Sequence, residues 1–176
     1  MKLRSWYVAW CISPACPDQA GLVGAIHPAL KKAQWASIVQ GKEWERITIT
    51  MSAEPLRVPF GSDLLVSSQV WASRHIADRD VTNLRQWASD WLRSTAYNDE
   101  PHRDAVLNHV LQSSQTIHLT SVLATRPARV ARVCEQIVGY LCRTLNGIIQ
   151  VHQEGFFGAT GESLVPKNDR HRLKTI

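Results

Sequence analysis

The sequence lacks nearly every feature that assigns a function at sight. No window approaches the roughly 18 continuous apolar residues of a membrane-crossing helix, so no contact with a membrane is expected. There is no Gly-x-Ser-x-Gly elbow, no phosphate loop and no dinucleotide fingerprint. "EGFFGATGESLV" (154–165) holds three glycines but follows a strand pattern and opens no helix, so it reads as a hairpin or two short strands. None of the four cysteines forms a C-x-x-C pair, the tight spacing of a zinc site. Cys134 and Cys142 would sit about 12 Å apart along one helix, too far for a disulfide. Cys11 and Cys16 are able to approach across a turn. All four are read as reduced, small buried hydrophobes. The histidines show no metal geometry either, because His102 and His109 share a helix face but lie two turns apart. Neither a metal nor a cofactor is expected.

No export signal is expected either. "MKLRSWYVAWCISPACPDQ" has two basic residues before a short apolar run, but Pro14 and Pro17 interrupt it and no clean small-x-small cleavage site follows. It reads as the opening strand of a fold, and a cytoplasmic location is expected.

What is present describes an ordinary globular chain. Its 176 residues are 44% hydrophobic and 20% charged, with a net charge of +5. A chain of that length buries about 70% of its unfolded surface. A single domain is expected over 1–166, followed by a basic tail, 167–176, with Lys167, Arg170, Arg172 and Lys174.

Periodicity supplies the elements. "RSWYVAWCI" (4–12) predicts a strand. "PDQAGLVGAI" predicts a helix, which Pro28 kinks or ends before a second piece carrying Leu30, Ala33 and Ile38. "WERITITM" (44–51) alternates strictly and predicts a strand. "LLVSSQVWASRHIAD" fits a strand and turn or one helix, with its second half favouring helix. "TNLRQWASDWLRST" and "EPHRDAVLNHVLQSS" predict helices, "QTIHLTSVL" a strand. "TRPARVARVCEQIVGYLCRTLNG" predicts a helix stopped by Asn146-Gly147. Its Val130, Val133, Cys134, Ile137, Val138, Leu141 and Leu145 share an arc of about 140°. "IIQV" is a closing strand. The order predicts an α+β, ferredoxin-like sandwich. Two strand–helix–strand units (halves roughly 1–60 and 115–166) flank a helical insertion over 62–114, with helices on one face of the sheet.

Trp-Ala-Ser occurs three times, at Trp35, Trp71 and Trp87, but the intervals of 36 and 16 residues and the unrelated flanks exclude a repeat. Helix-surface packing accounts for the triplet. All seven tryptophans lie in the first 91 residues, an excess for one core. Tryptophan is favoured at protein interfaces, and Trp87 and Trp91 are the candidates for a partner-facing surface.

"HLTSV" (118–122) places His118 and Thr120 on one strand face. This His-x-Thr pair resembles the motif of the two-histidine phosphoesterases. The resemblance covers five residues and the strand–helix–strand topology. It implies histidine acid–base work on a phosphodiester, with hydroxyls holding phosphate oxygens. The family's second pair is absent: the first-half strand reads "RITIT", with Arg46 where the histidine belongs. On the helix over 126–145, Arg129, Arg132 and Arg143 fall within about 60° of one another, a stripe able to meet phosphates or an acidic partner.

The leading expectation is a small non-enzymatic protein-binding module, of inhibitor or immunity type and of bacterial or phage origin. The second is a nucleic-acid-binding module using the arginine stripe and tail. The third is a degenerate or atypical two-histidine-phosphoesterase-like hydrolase centred on His118 and Thr120.

Overall fold

Strict alternation in the chain's strands gives a sheet with two different faces, and helices pack on both. The computed structural model describes residues 4–26, 37–38, 46–56, 64–76, 79–94, 100–121, 128–152 and 154–166. Of 4–6, 37–38, 51–56, 64–68, 79–80 and 128–129 the backbone alone is described. The fold is α+β. In chain order its elements are β1 (Arg4–Cys11), α1 (Gln19–Ile26), β2 (Ser37–Ile38), β3 (Arg46–Leu56), β4 (Leu64–Ile76), α2 (Arg79–Leu92), α3 (Arg103–Gln112), β5 (Gln115–Ser121), α4 (Ala128–Leu145), β6 (Gly147–Val151), β7 (Gly155–Phe157) and β8 (Ser163–Pro166). The strands form one sheet in the order β2-β3-β4-β5-β1-β6-β7-β8, and every neighbouring pair is antiparallel.

β1 lies between β5 and β6, antiparallel to both. β5 and β6 are therefore parallel to each other, and α4 is the crossover that joins them. β1 and β4 flank β5 in the same way, and the chain between them runs through α1 and β3. On the first face, Ala9 and Cys11 of β1, Ile47 and Ile49 of β3, and Ile117 and Leu119 of β5 share one buried core with residues of α1 and α4. All seven residues of the predicted α4 arc belong to this core. Asp18 caps α1, its carboxylate accepting from the Gly21 amide at 2.9 Å. Gly21 lets α1 approach α4 closely, since a Cβ there would meet the Tyr140 hydroxyl. Asn146 stops α4 in the left-handed region, φ 50°.

On the second face, α2 and α3 cover the β1–β8 end. Ala88, Leu92, Val106 and Val110 pack on Trp10, Ile148, Phe156 and Val165. The fully buried Trp10 indole donates to Gln150 Oε1 at 3.0 Å, which satisfies its one polar atom.

Several expectations need correction. The 64–76 segment is a strand throughout, including the half that favoured helix. Flanked by β3 and β5, its Val70 and Ala72 fill the first-face core while Trp71 and Ser73 turn away. The helical insertion therefore begins at Arg79, not 62, and it packs on the face opposite α1 and α4. Ile38, expected on a helix, lies in β2; the rest of that piece, with Leu30 and Ala33, lies outside the described residues. Trp71-Ala-Ser is strand and Trp87-Ala-Ser is helix, so the triplet has no fixed structure; Trp35 lies outside the described residues. The tail, 167–176, also lies outside them.

Candidate functional site

The helices α2 and α3 leave part of the second face to polar groups. Among the described residues, no member of the apolar cluster beneath them comes from β3, β4 or β5. Cross-strand register places Arg46, Ser73 and His118 in one row, and Thr48, Trp71 and Thr120 in the next. His75 pairs with Thr116 one row further on. This half-face carries hydroxyls, two imidazoles, an indole and a guanidinium; its side chains at 46, 48, 50, 69, 71, 73, 75, 116, 118 and 120 include no carboxylate.

The sequence-predicted pair His118 and Thr120 thus sits on this face, both half-buried. Arg46 stands in His118's own row, with the β4 residue Ser73 between them. A second histidine does reach His118, but from β4. The rings of His75 and His118 meet edge to face, centroids 4.9 Å apart at 68°. The helical leaning of this segment's second half hid this neighbour. Burial, with His75 adding to it, holds the His118 pKa down to about 4. His118 Nε2 lies 3.3 Å from Thr116 Oγ1. Rings in direct contact leave no room for a phosphodiester between them. Among the described residues, no three His, Cys, Asp or Glu side chains gather as a metal site requires.

The tryptophans divide sharply. Trp10 is buried, Trp71 and Trp91 are half-buried, and Trp87 is 56% exposed. Trp6, Trp35 and Trp44 lie outside the described side chains. Trp87 and Trp91 are neighbours one turn apart on α2. Trp91 is fixed from beneath by Phe156 of β7, ring centroids 5.5 Å apart. α2 is anchored in turn by Ala88 and Leu92, both fully buried, and by Arg85, which donates to the Ser113 carbonyl. An exposed indole therefore stands beside a held one on a rigid base.

The arginine stripe is less uniform than its spacing implies. Arg132 and Arg143 are exposed on α4, but the exposed Glu135 lies between them, and the Arg129 side chain lies outside the described residues. Arg143 Nη1 donates to the Ala159 carbonyl at 3.4 Å.

The remaining chemistry is structural. Cys11, Cys134 and Cys142 are buried, and Cys16 is exposed, contrary to the expectation that all four are buried. Burial pushes the Cys11 thiol up to about 12 and raises Cys142 as well, with Cys11 as its neighbour. Both are unreactive at neutral pH. His109 Nε2 lies 3.0 Å from the Trp10 carbonyl, and burial lowers its pKa. His152 and Glu154 are exposed and belong to the turn between β6 and β7, not to a strand. Buried Arg74 donates to Gln115 Oε1 at 2.6 Å and to the Pro14 carbonyl at 2.8 Å. Gln115 in turn donates to the Ala15 carbonyl at 3.0 Å, so the pair pins the turn after β1.

No protein-family model, curated protein or solved structure matches this chain. No helix among the described residues is long and apolar enough to cross a membrane.

Proposed function

We propose that this protein is a non-enzymatic module that binds another protein through the Trp87–Trp91 ridge of α2. The observation that carries this reading is the 56% exposure of Trp87 beside an indole held by Phe156. A large aromatic group presented on a preorganised base gives up much apolar area on contact and loses little entropy. The concrete form is an inhibitor or immunity-type protein of bacterial or phage origin, acting in the cytoplasm as a single domain over 1–166. The scaffold is read as a ferredoxin-like sandwich. Its four strands would be β6-β1-β5-β4 with α1 and α4 on one face, extended by β2–β3 and β7–β8 and by the α2–α3 insertion. The strand order and the two crossovers support that reading.

Capture from host lysate, with and without nuclease, tests the function. The proposal expects a stoichiometric protein that survives nuclease and is lost with Trp87→Ala. An eluate unchanged by Trp87→Ala contradicts it.

A second reading, nucleic-acid binding, is favoured by the half-face with Trp71 and Arg46, which shows no carboxylate among its described side chains. Single strands stack on such aromatics, and their binding weakens steeply with salt. Binding lost with Trp71→Ala and with rising salt would support it; indifference to salt would count against it. The touching rings of His75 and His118 disfavour a hydrolase centred on His118 and Thr120.

A further inference from the structure

A groove of about 380 Å³ opens between α4 and the β6–β7 hairpin, on the sheet face opposite the tryptophan ridge. Its wall on α4 is built from Glu135, Gly139 and Arg143, which recur every fourth residue and so form one stripe. Over the eight residue steps from Glu135 to Arg143 the helix rises about 12 Å. The two ends of the groove therefore carry opposite charge.

The acidic end is fixed by register. Tyr7 of β1 pairs with Val151 of β6, and the Tyr7 hydroxyl donates to Glu135 Oε1 at 3.3 Å. Glu154 lines the groove as well, its amide donating to the Val151 carbonyl at 3.1 Å. The basic end lies two turns along. There Arg143 is held against the Ala159 carbonyl. Gly139 makes room for this, since a Cβ would stand 3.2 Å from Arg143 Nη1 and 3.4 Å from the Ala159 oxygen. Glu162, the nearest carboxylate in sequence to this end, is turned into its own loop by the Thr160 amide at 3.2 Å and by the Thr160 hydroxyl. Between the ends the floor is apolar: Val138, Ile149 and Phe157.

We infer that this groove binds a short zwitterionic peptide, its free ammonium at Glu135 and Glu154 and its free carboxylate at Arg143. Charge complementarity selects the ligand class. A simple cation would leave Arg143 unmatched, and a simple anion would face two carboxylates. An extended chain of two to three residues places its termini roughly 7–11 Å apart, which suits a groove of this length. The apolar floor favours a hydrophobic side chain between them. The site is independent of the tryptophan ridge, so neither proposal stands or falls with the other.

Calorimetry on the purified full chain tests it, with Ala-Leu-Ala as the probe beside its N-acetylated and C-amidated forms. The expected result is saturable binding of the free peptide, weakened at least tenfold by either cap. Glu135→Gln should weaken the free peptide and shrink the acetylation penalty, leaving the amidation penalty intact. Arg143→Met should do the reverse. Both side chains are exposed, so both variants keep the fold, checked by circular dichroism. Absence of binding at millimolar peptide overturns the inference, as does binding indifferent to both caps. Equal responses of the two variants to both caps would also overturn it, since the charges would then not be read at separate ends.

Discussion

At the scale of single residues, half-buried His118 makes the fold sensitive to acid. His118 holds its proton only below about pH 4, whereas an unfolded histidine takes one up near 6.5. Between those values the unfolded chain binds the extra proton, so acid favours unfolding. Stability is full above about pH 6.5 and falls toward pH 4 by about 2–3 kcal/mol. Urea midpoints measured across that window should show the loss, and His118→Gln should flatten it. A slope unchanged in His118→Gln would assign the acid sensitivity elsewhere. Arg74 makes a different contribution. Arg74→Ala removes the donor to buried Gln115 and unties the exposed turn at Pro14, at a cost of about 1–3 kcal/mol. Denaturant unfolding measures this directly. Neither residue announced its role in the sequence. Arg74 and Gln115 are 41 positions apart, and only the β4–β5 pairing brings them together.

At the scale of elements, legibility followed how far local pattern and tertiary setting agreed. α4 was readable because its apolar arc, its proline near the start and its Asn-Gly stop all say helix. β5 and β6 were readable as short runs rich in β-branched residues. β4 was not. "LLVSSQVWASRHI" mixes small helix-tolerant residues with β-branched ones, and its strand state comes from two flanking strands that lie elsewhere in the chain. That single ambiguity hid His75 and the polar half-face. The groove on α4 was equally hidden, since nothing local tells that Tyr7 reaches Glu135. Close packing of elements gives a further test at Gly147, where β6 begins. A Cβ there would lie 3.0 Å from the Trp10 carbonyl and 3.1 Å from both Cys11 Sγ and the Cys142 Cα. Two of those neighbours are backbone and yield little. Gly147→Ala should therefore destabilise by about 1–3 kcal/mol, read as a lowered melting temperature. An unchanged melting temperature would mean that α4 shifts freely on β1.

At the scale of the whole molecule, one sheet separates two cores with different duties. The larger, under α1 and α4, is apolar from β3 to β6 and holds the fold together. The smaller, under α2 and α3, spans only the β1–β8 end. It supports α2 firmly enough to present Trp87 to solvent, and it leaves the polar half of that face uncovered by its apolar groups. Trp87 rests on no core of its own, so Trp87→Ala should change stability by less than about 0.5 kcal/mol. If it anchors an interface, its loss should still weaken partner binding at least tenfold, about 1.4 kcal/mol or more. Equal loss of stability and of binding would mean the indole supports α2 instead.

Site-specific photo-crosslinking addresses that claim most directly. A benzophenone side chain is placed at 87 in one variant and at 132, on the opposite face, in another, and both are irradiated in host cells. The account predicts one discrete protein adduct at 87 and none at 132. Adducts at 132 alone, or nucleic acid at either position, would contradict it.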